Sequence, residues 1–475
     1  MTQTDIHFAD VFPSATQEGW QKSVEAVLKD KPFQSLISAS ADNIAIQPLY
    51  AAAHGTRALR RKSGDWAVLA RIDHPDIDAA NAQILADLEG GATGIHLVFE
   101  NSVAAHSVGI SWPTSAICRT LLAKVQFQTG VRISLDLSAE SRGAALELAQ
   151  HIADEGVAPN LVNVDFGLDP LSLIARNGGG ENWNETSTGF AALAARLAGF
   201  KFGGTVVSAD GSVVQAAGAT EAQELAFVLS CGVAYLRALE ASGIGLAQAR
   251  NMMGFRLAAD ADVFLGIAKF RALRLLWARI ESACGLEAQP IDILATSGWA
   301  MMSRSDPWVN VLRAGTAAFA SGIGGADAIS LLPFTQANGL PDAAARRLAR
   351  NTQNILLQES HLGQVADAAG GAGGFESLTE ELCKKAWGLF QDIEATGGIY
   401  AALKSGMFQA QVSTARAAKQ AQIAAGKTKL IGVTHFKNTE ELRVEVLSPL
   451  PVAANPAPTE FAPLLPMRFA EEFEP

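Results

Sequence analysis

Residues 291–364 read IDILATSGWAMMSRSDPWVNVLRAGTAAFASGIGGADAISLLPFTQANGLPDAAARRLARNTQNILLQESHLGQ, and the fold is decided there. Two short runs, 291–294 and 328–332, consist of β-branched or leucine residues and lead into small polar ones. Two longer segments, 308–319 and 343–357, repeat apolar residues at helical spacing. The order is strand, loop, helix, twice over, the unit of an α/β protein with parallel strands. The loops after the strands, Thr296-Ser297-Gly298-Trp299 and Phe334-Thr335-Gln336, hold the polar and aromatic groups. In a barrel of such units the ligand contacts sit in those loops.

Outward from this stretch the alternation begins at Trp66 and runs to about residue 400. Further strands are expected at 94–99, 131–137, 161–166 and 200–207, with weaker candidates at 251–257 and 365–369, which brings the count to eight. Between them, 143–155 places Ala145, Leu148, Ala149 and Ile152 on one helical face and stops at Gly156. Thr220-Glu221-Ala222-Gln223 has the spacing of a capping box. The economical architecture is α/β, a (β/α)8 TIM barrel over 66–400 with an N-terminal arm (1–65), a helical extension (401–436) and a Pro-rich tail (437–475). The arm carries a helix over 15–29 and an extended piece over 43–50, too little to close a core unaided. Proline density predicts a tail extended along a surface or mobile.

A chain of 475 residues that is 49% apolar can bury a barrel-sized core. Its 37 Lys and Arg against 48 Asp and Glu leave a net charge of −11, so no basic face advertises nucleic acid. Cys118, Cys231, Cys284 and Cys383 are dispersed without CxxC pairing, as inert thiols in a reducing compartment would be, and the cytoplasm is expected. The start, MTQTDIHFADVFPSATQEGW, lacks the basic patch and apolar run of a secretion signal. No uninterrupted apolar run reaches the roughly 18 residues that would span a membrane.

The motifs TSGW, DPWVNVLRAG, the GGA before ISLLPFTQANGLP, and RLARNTQNILLQES resemble, in order and spacing, the barrel of the adenosylcobalamin-dependent methylmalonyl-CoA mutases. LPFTQANGLP is similar to the small, non-catalytic subunit of the heterodimeric bacterial enzymes, whereas catalytic chains carry a longer segment with a histidine and acidic residues. FPSATQEGW and IQPLY resemble the start of that small subunit, whose arm reaches over the partner. The resemblance implies an isomerase complex that interconverts (R)-methylmalonyl-CoA and succinyl-CoA in propionate metabolism. It places adenosylcobalamin on a large catalytic partner subunit, with acyl-CoA bound at the level of the heterodimer.

The same comparison implies lost chemistry. Catalytic chains read like SISGYHMQEAGA after the strand expected at 200–207, and their histidine donates a hydrogen bond to the thioester carbonyl, which an apolar group cannot do. Matched on Gln215 and Ala217-Gly218-Ala219, the family histidine position is Val213, the tyrosine position Ser212 and the glutamate position Ala216. No catalytic residue is therefore expected, and Gly298, Trp299 and Gln215 remain as vestigial cofactor-binding positions. The segment HGTRALRRKSGDW (54–66) lacks the tyrosine that helps cleave the cobalt–carbon bond in the family. The nearest match to DxHxxG, which supplies the lower cobalt ligand, is Ala104-Ala105-His106-Ser107-Val108-Gly109 without its orienting aspartate, so His106 is read as a loop histidine and no metal ligand is expected. The tail after 437 is too short for the cobalamin-binding domain of longer mutases.

Other features receive plainer readings. His96 is a hydrogen-bonded core or rim residue, and Asn177-Gly178-Gly179-Gly180 is a flexible loop rather than a phosphate cradle. The glycine run 370–374 is a tight turn over the barrel mouth. Arg271, Arg274 and Arg279 form the basic face of a helix, solvated or paired with acid. An alternative function is an active acyl-CoA mutase barrel working with a separate cobalamin-binding subunit, which leaves Val213 unexplained. An unrelated barrel enzyme such as an aldolase lacks a well-placed lysine or metal cluster to support it.

Overall fold

Short β-rich runs that are apolar on both faces can be buried only by wrapping helices around a parallel sheet. The computed structural model, which describes residues 15–53, 64–112, 117–438, 443–451 and 459–474, has that arrangement. Its barrel strands are β1 (Ala67–Ile72), β2 (Gly94–Val98), β3 (Arg132–Asp136), β4 (Asn163–Asp165), β5 (Val207–Asp210), β6 (Met253–Ala259), β7 (Asp292–Ser297) and β8 (Ala328–Ser330). They form one 8-stranded parallel sheet in the order β4-β3-β2-β1-β8-β7-β6-β5. Its two edges meet where the amides of Val164, Phe166 and Leu168 donate to the carbonyls of Gly203, Thr205 and Val206 at 2.9, 2.9 and 3.1 Å. The sheet is thereby a (β/α)8 TIM barrel.

The helices used below are α1 (Gln17–Leu28), α2 (Ile77–Glu89), α3 (Ala144–Asp154), α4 (Pro170–Asn177), α5 (Trp183–Ala198), α6 (Glu221–Ala241), α7 (Val263–Ala283), α8 (Val309–Gly324), α9 (Ala343–Asn354), α10 (Gly373–Ala395) and α11 (Met407–Ala424). The capping box holds: Gln223 N donates to Thr220 Oγ1 at 3.3 Å and its side chain accepts from Thr220 N at 3.0 Å. That start fixes α6, which by length and composition could cross a membrane but has 83% of its most apolar window buried inside the protein.

Three expectations need correction. Residues 365–369 form turns, with Val365 exposed, and the missing strand is Ala67–Ile72, where Arg71 interrupts an otherwise apolar run. The strand placed at 200–207 lies at Val207–Asp210, while the extended residues before it close the barrel on β4. Of the two readings open for Arg271 and Arg274, pairing with acid holds, inside the protein: Arg271 pairs with Asp367 and with Glu376 at 2.7 Å, and Arg274 with Asp327 at 2.7 Å. The glycine turn at 370–374 packs on Ala51 and Ala53 of the arm and flanks buried Ala369, which sits between Ile267 of α7 and Ala320 of α8.

The bore is unusual for this architecture, whose interior normally fills with branched apolar side chains. Here several inward positions carry charge, beside a small apolar cluster of Leu69, Leu294 and Ala328. Arg132 on β3 pairs with Asp165 on neighbouring β4 at 2.6 Å and with Asp292 on β7, four strands away by either route, so its side chain crosses the barrel. Arg256 on β6 crosses to β3, where it meets Asp136 at 3.2 Å, Ser134 Oγ at 3.2 Å and the Leu135 carbonyl. The apolar residues of the same strands, such as Ile133, Leu135, Phe255 and Leu257, face the helices and build the main core.

Candidate functional site

The C-terminal ends of the strands form the mouth, and the loops that follow them meet there. After β5 the chain turns at Gly211 into a short helix, Ser212–Ala216, which buries Val213 and carries Gln215 toward the loop after β7. A Cβ on Gly298 would lie 2.9 Å from the Gln215 side-chain nitrogen and 3.2 Å from the Ala259 carbonyl oxygen, so the two loops approach closely there. Gln215 Nε2 reaches Asp260 Oδ2 at 3.3 Å. Trp299 stacks on His106, with ring centroids 4.3 Å apart and planes 9° from parallel. The positions read as vestigial, Gln215, Gly298 and Trp299, are thus brought together, next to the Val213 turn.

His106 is a loop histidine, as expected, and half-buried. It stands in a left-handed conformation (φ 44°) in the loop after β2, which is pinned over the mouth by Arg71 Nη2 donating to the Ala104 carbonyl at 2.7 Å. Burial first, then the positive charges of Arg71 and Arg176, push its imidazole well below the ordinary histidine range and keep it neutral. His96, whose Nδ1 lies 3.1 Å from Ser330 Oγ, is held neutral by burial and by Arg256 and Arg71. Asp73 sits between Arg71 (2.7 Å) and Arg346 (2.8 Å) and also accepts from Gln336 Nε2 at 3.1 Å. Burial opposes its ionisation, but Arg346 and Arg71 outweigh burial and hold the carboxyl well below the usual range. Thr335 and Gln336, read as loop positions for ligand contact, are themselves buried, and Phe334 stacks against Trp308 at 4.4 Å.

What remains among Arg71, His96, His106, Ser212, Trp299 and Ser330 is a cavity of about 10 Å³. That is room for about one water molecule. Across the mouth lies the C-terminal segment: the amides of Leu464, Met467 and Phe469 donate to the carbonyls of Ala175, Ala216 and Ala300 at 2.9, 2.8 and 3.0 Å. Those three carbonyls follow β4, β5 and β7, so the segment spans the mouth. Arg468 is buried in it, paired with Glu474 at 2.7 Å and 6.0 Å above the Trp299 ring. The glycine loop after α4 is where this segment docks, because Glu460 and Phe461 donate to the Gly178 carbonyl at 2.9 and 3.1 Å. The glycine loop is thus a docking point rather than a free loop, and the described end of the tail runs extended along the barrel surface, one of the two expectations for it.

The family model described as methylmalonyl-CoA mutase matches residues 196–456. The chain belongs to the methylmalonyl-CoA mutase family. Among its relatives, the methylmalonyl-CoA mutase small subunit of Streptomyces virginiae is 36% identical over 95% of this chain and 74% of that protein. The small subunit of Propionibacterium freudenreichii subsp. shermanii is 32% identical over 95% and 73%. The methylmalonyl-CoA mutase of Escherichia coli K12 is 28% identical over 90% of this chain and 65% of that protein.

The residues at this family member's mouth do not fit a corrinoid cofactor. His106, the nearest match to a lower ligand, is half-buried and covered by the Trp299 ring, and the space beside it admits nothing larger than water. Among the described residues no group of three or more His, Cys, Asp or Glu side chains could hold a metal ion. The arm segment 54–63 lies outside the described residues. Reading from sequence missed Arg71, Arg132 and Arg256. The signal available was an arginine inside three of the short apolar strands, Arg71 in β1, Arg132 in β3 and Arg256 in β6.

Proposed function

We propose that this chain is the small subunit of an adenosylcobalamin-dependent methylmalonyl-CoA mutase, catalytically silent itself, in a heterodimer with a large subunit that carries the cofactor and interconverts (R)-methylmalonyl-CoA and succinyl-CoA. The observation that carries the reading is the filled mouth. Acyl-sized ligands need pockets of some hundreds of Å³, against about 10 Å³ beside Trp299. Val213 at the family histidine position and the dispersed, unpaired cysteines of a cytoplasmic protein agree with it. The reading in which this barrel is active with a separate cobalamin-binding subunit is less well supported, because the segment 459–474 occupies the face on which such a subunit would have to act.

The purified chain is expected to take up no adenosylcobalamin in an absorbance titration and to give no methylmalonyl-CoA turnover, and Val213→His is expected to change neither, since residues of a catalytic unit do not act singly. Tight cofactor uptake or turnover by the chain alone would sink the silent-subunit reading.

The arm supports the partner assignment. Residues 38–53 dock on the barrel, with Ile44 buried and Asp42 Oδ2 accepting from Ala222 N at 3.1 Å. Helix α1 buries none of its residues; Trp20 packs edge-on against Phe33, and exposed Val27 is available to another chain. Removing residues 2–36 is expected to weaken co-elution with the large subunit and to leave the melting of the isolated barrel unchanged. Equal co-elution of the truncated and full chains would remove the arm from the interface.

A further inference from the structure

The segment over the mouth is held by two separate sets of contacts. In the first, the amides of Glu460 and Phe461 meet the Gly178 carbonyl, Leu464 N meets that of Ala175, and Gln409 Nε2 of α11 donates to the Ala462 carbonyl at 3.1 Å. Phe461 and Leu464 are buried there as part of the main core. In the second, Met467 N and Phe469 N reach the carbonyls of Ala216 and Ala300. Phe469 packs with Ala300 and Ile423, flanked by Leu430, Met467 and Phe473, in a small cluster apart from the main core. Between the two sets stand Leu465, 50% exposed, and Pro466, which has no amide to donate.

One carboxylate fastens the second set. Glu474 accepts from Arg468 Nη1 at 2.7 Å through one oxygen, and from the backbone amides of Arg304 and of Ser305 (3.1 Å) through the other. Arg304 and Ser305 lie in the loop after β7, so this side chain ties residues 467–474 back onto the barrel. Its contacts are sheltered, since the Glu474 and Arg468 side chains are each 4% exposed. The remaining polar contacts of this half are at the rim: Glu471, 3.4 Å from Arg468, is nearly half exposed, and Glu472 accepts from exposed Gln420 of α11 at 2.6 Å.

We propose that residues 467–474 are a lid that lifts as one body about Leu465-Pro466 while residues 460–464 stay docked, and that Glu474 is its fastener. Local opening follows the seams of packing, and a unit packed in its own small cluster opens at lower free energy than one rooted in the main core. Closed, the lid sets Arg468 over Trp299 and ties Met467 to Ala216, and both Trp299 and Ala216 wall the cavity beside His106. Lifted, it uncovers the Trp299 face that Arg468 covers and frees the Ser212–Ala216 turn. The filled mouth is then one side of an equilibrium within this chain, whichever partner the chain has.

The test is hydrogen exchange of the full chain, read amide by amide by mass spectrometry, with Glu474→Ala beside the wild type. In the wild type the Met467 and Phe469 amides are expected to share one degree of protection, lower than that of Phe461 and Leu464. Glu474→Ala removes three hydrogen bonds to a charged acceptor and is expected to lower the protection of Met467 and Phe469 about a hundredfold, leaving Phe461, Leu464 and the melting of the barrel unchanged. Equal protection of all four amides in the wild type would overturn the two-part lid, because the segment would then open as one strap or only with the whole barrel. Unequal protection of Met467 and Phe469 would overturn it too, as fraying rather than the motion of one body. Unaltered protection in Glu474→Ala would overturn the role of Glu474 as fastener.

Discussion

Replacing Arg256 with methionine is expected to destabilise the barrel by about 3–5 kcal/mol, the cost of leaving a buried charge without its partner. The guanidinium answers Asp136 at 3.2 Å and lies 4.0 Å from Asp210, and all three side chains are buried in the bore. Methionine matches the length but offers no donors, so the Ser134 hydroxyl, the Leu135 carbonyl and both carboxylates lose a partner together. Against a total stability of about 5–15 kcal/mol for a folded domain, that loss is a large share. The measurement is the urea midpoint of the isolated chain. Lys384→Met, which removes a pair with Glu380 and Glu381 on the exposed face of α10, should leave the midpoint unmoved. An unchanged midpoint in Arg256→Met would mean that the bore charges are solvated rather than paired, and that the mouth is less filled than its 10 Å³ cavity indicates.

The same charges explain what could be read from sequence and what could not. In residues 291–364 the expected elements lie within a few residues of β7, β8, α8 and α9, because their apolar periodicity is clean and tertiary context reinforces it. β1 was missed because its inward position, Arg71, reads as a polar break, and 365–369 took its place because two apolar ends resemble a strand when the backbone is not seen. Periodicity also cannot tell a paired buried cation from a solvated one, which is why the sequence leaves both readings open for Arg271 and Arg274 of α7. At the site, Val213, Gln215, Gly298 and Trp299 were legible as positions, since local motifs carry them. The closure over them was not. It depends on contacts such as Met467 to Ala216, far apart in sequence, made by a segment whose prolines predict only that it is neither helix nor sheet.

A second large effect should appear in the pH dependence of stability. Asp169 caps α4 by accepting from Ser172 N at 3.2 Å and accepts from Asp210 N at 2.8 Å, with the Tyr235 hydroxyl bonded to it as well. Burial, and then the negative charge of Asp210, push its carboxyl up to about 7 from an ordinary 3.8. The folded state therefore holds a proton that the unfolded chain releases. Stability from this group is complete below about pH 4 and is lost as pH rises toward 7, at about 1.4 kcal/mol per pH unit and about 4 kcal/mol across the window. Asp73 has the opposite sign, since its depressed carboxyl stabilises the fold at neutral pH and ceases to do so under acid conditions. Asp169→Asn keeps a capping oxygen for Ser172 and removes the titration. Its urea midpoint should run flatter than the wild type between pH 4.5 and 7, by the equivalent of about one proton, while both fall together at lower pH as Asp73 protonates. Parallel curves through that window would show Asp169 ionised in the fold, and would mean that the hydrogen bonds from Ser172, Asp210 and Tyr235 outweigh its burial.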